Sequence, residues 1–182
     1  MTGTPVGGRV ATAGNPLRCA VLISGSGSGM QALVRAQQQD KLLHATSVVI
    51  SNRSEAGGIQ LAHQLGVEVE LVLPSKDAEN TRVAHEEAVM EVLEHHDIEF
   101  VVLSGYMRLL SPHFLERWGG RIVNIHPSYL PHFPGAHAHR DVIASGAKLT
   151  GCTVHMVDEG MDTGAVLAQE TVPVLNGDDE IS

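Results

Sequence analysis

The stretch VLISGSGSGM, Val21 to Met30, runs from continuous apolar residues straight into alternating glycine and serine. The apolar part suits a strand covered on both faces, as in a parallel sheet. Gly25-Ser26-Gly27-Ser28-Gly29 then offers free backbone N–H groups where a helix would begin. A tight turn with a serine cap and a cradle for an anion both fit it. The spacing is not the dinucleotide G-x-G-x-x-G, because the third glycine comes one residue early, and no Walker-type lysine follows.

Outward from this stretch the same alternation repeats. Apolar, β-rich runs occur at CAVLIS (19–24), TSVVIS (46–51), VEVELVL (67–73), IEFVVLSG (98–105), RIVNI (121–125), TGCTVHMV (150–157) and AVLAQETV (165–172). Helical patterns separate them. Met30, Leu33 and Val34 share one face of the first. In AENTRVAHEEAVMEVLEHH (78–96) the expected apolar stripe is Ala84, Ala88, Val89, Val92 and Leu93, with Glu87, Glu91 and Glu94 opposite. The expected fold is α/β: a single doubly wound, mostly parallel sheet with helices on both faces, binding ligands beyond the carboxyl ends of its strands.

Composition narrows the function. The 182 residues suit one domain, and 43% hydrophobic content is ordinary for a globular chain. A formal net charge of −9 argues against general affinity for nucleic acid or an anionic membrane. Cys19 and Cys152, the only cysteines, lie in apolar runs, which predicts reduced thiols and a cytoplasmic protein. No apolar run reaches membrane-span length, and the first residues lack a secretory h-region. Residues 1–18 read as a disordered leader and 19–182 as one folded domain; a homodimer is allowed.

Three further segments carry chemistry. In NIHP, a strand would project Asn124 and His126 to the same side, pairing an amide donor with a titratable imidazole. VDEGMDTG (157–164) is an acidic, glycine-rich loop on the same rim, where Asp162 beside His126 would favour the charged imidazole. A satisfied strand-end histidine and an Asx turn are the bland readings of these two. LSGYMRLLSP (103–112) can wall an apolar slot through Met107, Leu109 and Leu110, or be core followed by a helix start at Ser111-Pro112. HPSYLPHFPGAHAH (126–139) is expected as a stiff extended loop. Its histidines lack the spacing of a zinc motif, so no metal is assigned. His95 and His96 read as solvated helix surface.

In order, LISGSGS, LSGYMRLLSP, RIVNIHPSYLPHFPGAHAHR and TGCTVHMVDEGMDTG closely resemble the 10-formyltetrahydrofolate-dependent formyltransferases, over about Cys19 to Asp178. Within that family the likeness is to the branch acting on glycinamide ribonucleotide in purine biosynthesis. The resemblance implies a catalytic trio of Asn124, His126 and Asp162. It implies that Gly27, Ser28 and Gly29 hold the ribonucleotide phosphate, although the family often has Asn where Gly29 stands. It further implies a folate site built from Arg82, Met107, Arg108, Leu109 and Leu110, with Asn124, Asp158, Glu159, Gly160, Met161 and Asp162. Family chains usually continue past a point like Ser182, so the domain is expected to be incomplete at its C-terminus. A formyl-folate hydrolase, a methionyl-tRNA formyltransferase, a sugar-nucleotide formyltransferase and a non-catalytic binding module are the rival readings.

Overall fold

A computed structural model describes residues 9–40, 42–75 and 81–180. Seven strands form one sheet in the order β3-β2-β1-β4-β5-β6-β7. They are β1 (Leu17–Ile23), β2 (His44–Ser51), β3 (Glu68–Leu71), β4 (Phe100–Ser104), β5 (Ile122–His126), β6 (Leu149–Met156) and β7 (Val166–Pro173). The first five pair in parallel. β6 and β7 are antiparallel.

The runs that are apolar throughout became the central strands because both faces are covered. Leu22, Ile50, Leu103 and Ile122 pack on one side with α3 (Thr81–His95) and α4 (Pro112–Trp118). Val21, Ile23, Val49 and Val102 pack on the other with α1 (Ser28–Asp40) and α2 (Gly57–Gln64). The chain therefore leaves β1 toward one face and β4 toward the other, and a crevice opens between their carboxyl ends.

Several expectations need correction. On α3 the buried face is His85, Glu86, Val89, Met90 and Leu93, while Ala84 is exposed. Tertiary partners for the two polar residues rotate the buried stripe relative to the apolar one. His96 is not solvated surface: its side chain is 12% exposed and faces Glu68 and Glu70 of β3. The loop expected over 126–139 ends two residues early, since α5 (Ala138–Ser145) begins inside it. The leader expected over 1–18 falls outside the described residues at 1–8. Beyond these, β1 begins at Leu17, and Arg9 reaches Glu99 with Nε and Nη2 each 2.8 Å from a carboxylate oxygen.

Candidate active site

One row of residues crosses four strands. Leu22 of β1 is in register with Leu103 of β4, Leu103 with Asn124 of β5, and Asn124 with His155 of β6. Alternation along β5 puts His126 on the same face as Asn124, the face that carries α3 and α4. On β1, β4 and β5 the row lies one or two residues short of the carboxyl ends, so it forms the floor below the crevice rim, and antiparallel β6 brings His155 to it on its way down.

Asp162 comes to this floor from the β6–β7 connection. Its carboxylate is 9% exposed, with Oδ2 3.5 Å from His126 Nδ1 and Oδ1 3.4 Å from His155 Nε2. Asn124 Nδ2 donates to Asp162 Oδ1 at 3.3 Å and lies 3.2 Å from His155 Nε2. His155 Nδ1 donates to the Met156 carbonyl at 2.8 Å, which leaves Nε2 as an acceptor for the Asn124 amide. His126 Nε2 donates to the Phe133 carbonyl at 2.9 Å, which turns Nδ1 toward Asp162. The three expected side chains thus meet, and His155 joins them.

Two loops make this convergence possible. The connection carrying Asp162 is closed by Met156 N donating to the Ala165 carbonyl at 2.9 Å. There Gly164 has no substitute, because a Cβ would stand 1.8 Å from the Met156 carbonyl oxygen. Asp158 Oδ1 takes Gly160 N at 3.0 Å and Thr163 Oγ1 at 2.7 Å, so the Asx turn expected as the bland reading is present within the same loop. Asp162 itself is left-handed at φ 55°, a conformation that Asp and Asn tolerate better than most side chains.

The other loop follows β5. Its proline-rich path places the Phe133 carbonyl on His126 and the Gly135 N–H on Asp162 Oδ2 at 2.8 Å. It is pinned to β6 through Thr153 Oγ1, which donates to the Ser128 carbonyl at 2.7 Å and accepts from Leu130 N at 3.0 Å.

The glycine stretch ends β1 and opens α1. Gln31 N makes the first helical bond, to the Gly27 carbonyl at 2.8 Å, so the N–H groups of Ser28, Gly29 and Met30 precede the ladder and point out of the helix start. Gly27 has φ 77°, and a Cβ there would lie 2.5 Å from Gly58 Cα. At Gly29 a Cβ would lie 2.6 Å from Ser104 Oγ. A larger residue at 29 thus requires that hydroxyl to turn.

The 105–111 segment lies against this stretch: Ser24 N donates to the Gly105 carbonyl at 3.2 Å, and Met107 N donates to Ser24 Oγ at 2.8 Å. Met107 and Leu109 are exposed at 60% and 58%, and Met161, next to Asp162 in the chain, at 53%. Leu110 is partly buried and packs on the same core as Val157, and Ser111 caps α4 as the start signal suggested. Arg82 stands at the start of α3, paired with Glu86 rather than with the 158–162 loop. An open cleft of about 410 Å³ joins Ser24, Met107 and Arg108 to Asn52 and Arg53 beyond β2. Sequence reading did not single out those last two.

His155 was missed because nothing local marks it. In TGCTVHMV it is one polar residue in a strand, and only the antiparallel register with β5 puts it opposite Asn124. Among the described residues, Glu68, Glu70 and His96 form the group whose ligand atoms would suit a metal, within 4.8 Å of one another, remote from this floor. No described helix is long and apolar enough to cross a membrane.

The chain is similar to known proteins over most of its length. The profile of the family described as Formyl transferase matches residues 17–182. Phosphoribosylglycinamide formyltransferase of Escherichia coli (strain K12) is 39% identical over 88% of this chain and 74% of its own length. The trifunctional purine biosynthetic protein adenosine-3 of Drosophila melanogaster is 46% identical over 91% of this chain, which spans only 12% of that protein. The chain spans 12–17% of the trifunctional relatives it matches. Among solved structures, phosphoribosylglycinamide formyltransferase from Brucella melitensis is 43% identical with a TM-score of 0.81, covering 91% of this chain and 84% of that one. Glycinamide ribonucleotide transformylase 1 from Symbiobacterium toebii has a TM-score of 0.83 at 40% identity, covering 91% of this chain and 77% of that one.

Proposed function

The chain belongs to the formyl transferase family, and from that premise we propose that it transfers a formyl group from 10-formyltetrahydrofolate to the primary amine of glycinamide ribonucleotide, a step of purine biosynthesis. The observation that carries the reading is the meeting of amide, imidazole and carboxylate, with Asp162 3.3 Å from Asn124 and 3.5 Å from His126. Binding alone needs no proton carrier in such a cluster.

In this mechanism the amine lone pair attacks the formyl carbon, and the carbonyl π pair moves onto oxygen. Asn124 Nδ2 has two N–H groups, held by Asp162 and His155 before the reaction, and the one on Asp162 shifts to that oxyanion as it forms while His155 keeps the amide in place. The attacking nitrogen must lose a proton and N10 of the folate must gain one as the carbon–N10 bond breaks. His126 moves that proton through Nδ1, directly or through a water, while Asp162 supplies the countercharge. The electron pair of the broken bond stays on N10, and no covalent enzyme adduct is required.

Gly27, Ser28 and Gly29 hold the ribonucleotide phosphate through backbone N–H groups and the Ser28 hydroxyl. Met107 to Leu110 and Asp158 to Asp162 read the pterin, and Arg82 takes a carboxylate of the glutamate tail. We place the protein in the cytoplasm, since Cys19 and Cys152 are both free thiols. A homodimer is an assembly this reading allows, and sedimentation decides it.

The test is to mix the protein with 10-formyltetrahydrofolate, with and without glycinamide ribonucleotide, and follow folate absorbance. Formyl loss only when the amine is present is the expected result. Loss without the amine indicates a hydrolase, and no loss in either case a binding module; both contradict the proposal.

A further inference from the structure

Glu86 is a buried carboxylate that formyl transfer does not use. Its side chain is 4% exposed, and Oε1 lies 3.6 Å from Nε of Arg82, one turn earlier on α3. The same carboxylate accepts from the backbone N–H of Ser111 at 2.8 Å and from the Ser111 hydroxyl. Ser111 in turn caps α4, its Oγ accepting from Phe114 N at 3.3 Å. The segment between Gly105 and Ser111 is therefore strung between two anchors, Ser24 at the end of β1 and Glu86 on α3.

A buried carboxylate with only neutral donors would be costly, and a cation held against it offsets that cost. Here the cation is Arg82, whose side chain is 45% exposed and so reaches solvent from a fixed root. One charged group thus ties the arginine to the loop that carries Met107 to Leu110. Folate has its apolar, hydrogen-bonding pterin at one end and its carboxylates at the other. A site for it must hold a backbone-reading loop and a cation at a set separation.

We propose that Glu86 is a positioning residue for folate, fixing the Arg82 guanidinium relative to the Met107–Leu110 loop so that tail and pterin are read together. This rests on the folate-site reading given above for those residues. Glu86 touches no reacting atom, so its effect falls on co-substrate binding and not on turnover.

The experiment compares 10-formyltetrahydrofolate with an analogue in which a neutral methylamide replaces the glutamate, so that the tail carries no carboxylate. Glu86→Gln keeps the shape and one accepting oxygen for Ser111 N, turns the other position into an NH2 that can donate to Ser111 Oγ, and removes the charge. KM for the complete co-substrate is expected to rise about fivefold, with kcat within about twofold and KM for the methylamide analogue unchanged. Arg82→Ala raises the same KM, and adding Glu86→Gln to it has no further effect. An equal rise for both co-substrates, an additive effect on Arg82→Ala, or a fall in kcat overturns the proposal. Should Glu86→Gln not fold, judged by its thermal melt, Glu86→Asp takes its place. Its smaller rise is expected for the complete co-substrate alone, and an equal rise for both overturns the proposal. Wild-type protein that transfers no formyl group contradicts the functional reading itself, and is seen before any variant is made.

Discussion

Asn124 and His155 stand opposite each other in the antiparallel β5–β6 register, with Nδ2 of the amide 3.2 Å from Nε2 of the imidazole. Because His155 Nδ1 is committed to the Met156 carbonyl, its Nε2 can only accept while the ring is neutral. That fixes which end of the amide faces Asp162. Asn124→Ala is expected to cost about 2.7–4 kcal/mol of transition-state stabilisation, the range for a lost oxyanion donor. His155→Ala should lower kcat less, by about tenfold, and should add nothing in the Asn124→Ala background. Steady-state kinetics of the two single variants and the double variant check this. Independent, additive losses would remove the link between them.

Asp162→Asn is the cleanest change at the site. Asparagine tolerates the left-handed backbone at φ 55°, and its carbonyl can still accept from Gly135 N. What disappears is the charge beside His126 and, because an amide has a single accepting oxygen, the acceptor that Oδ1 offers Asn124 Nδ2. Turnover should fall by about 10²-fold or more, with folate affinity kept within about twofold. Single-turnover rates and a folate titration by fluorescence check the two halves, and near-normal turnover takes Asp162 out of the mechanism.

The glycine stretch separates stability from binding. Gly27→Ala forces a Cβ to 2.5 Å from Gly58 Cα at φ 77°, and should cost more than about 2 kcal/mol in urea melts. Gly25→Ala has open space around it and should be close to neutral. Ser28→Ala should raise the nucleotide KM while leaving kcat unchanged. An unaltered KM would reduce the stretch to a turn.

Acid should act on the N-terminal tie. The Glu99 carboxyl is held below its usual range, first by the side-chain hydrogen bond from Arg9 and also by the Arg18 N–H and both guanidinium charges, against a desolvation penalty. A depressed carboxylate stabilises the fold above its unfolded pKa and loses that contribution as pH falls through the folded value. Glu99→Gln should therefore be less stable than wild type at pH 7 by about 0.5–1 kcal/mol, and the gap should close below the ordinary carboxylate range. Urea melts at both pH values measure it, and a gap independent of pH would contradict the assignment.

How far the sequence could be read depended on whether burial was local in origin. Strands such as Val21–Ile23 and Val101–Leu103 announced themselves because both faces are covered and every residue is apolar. Asn124 and His126 could be paired from strand alternation alone. Glu86 could not be found that way: in a charged stretch it looks like solvent face, and its partner Ser111 lies 25 residues away. His155 needed the direction and register of β6, which its own neighbours do not encode. The Phe133 carbonyl and the Gly135 N–H are main-chain groups, placed by the path of a proline-rich loop, so no residue type signals them.

The most direct measurement follows the carbon itself. With 10-formyltetrahydrofolate labelled with ¹³C at the formyl group, NMR should show the label passing, one for one, into the formamide of the glycinamide ribonucleotide product. Label appearing as free formate, or remaining on the folate in the presence of the amine, would contradict the transfer.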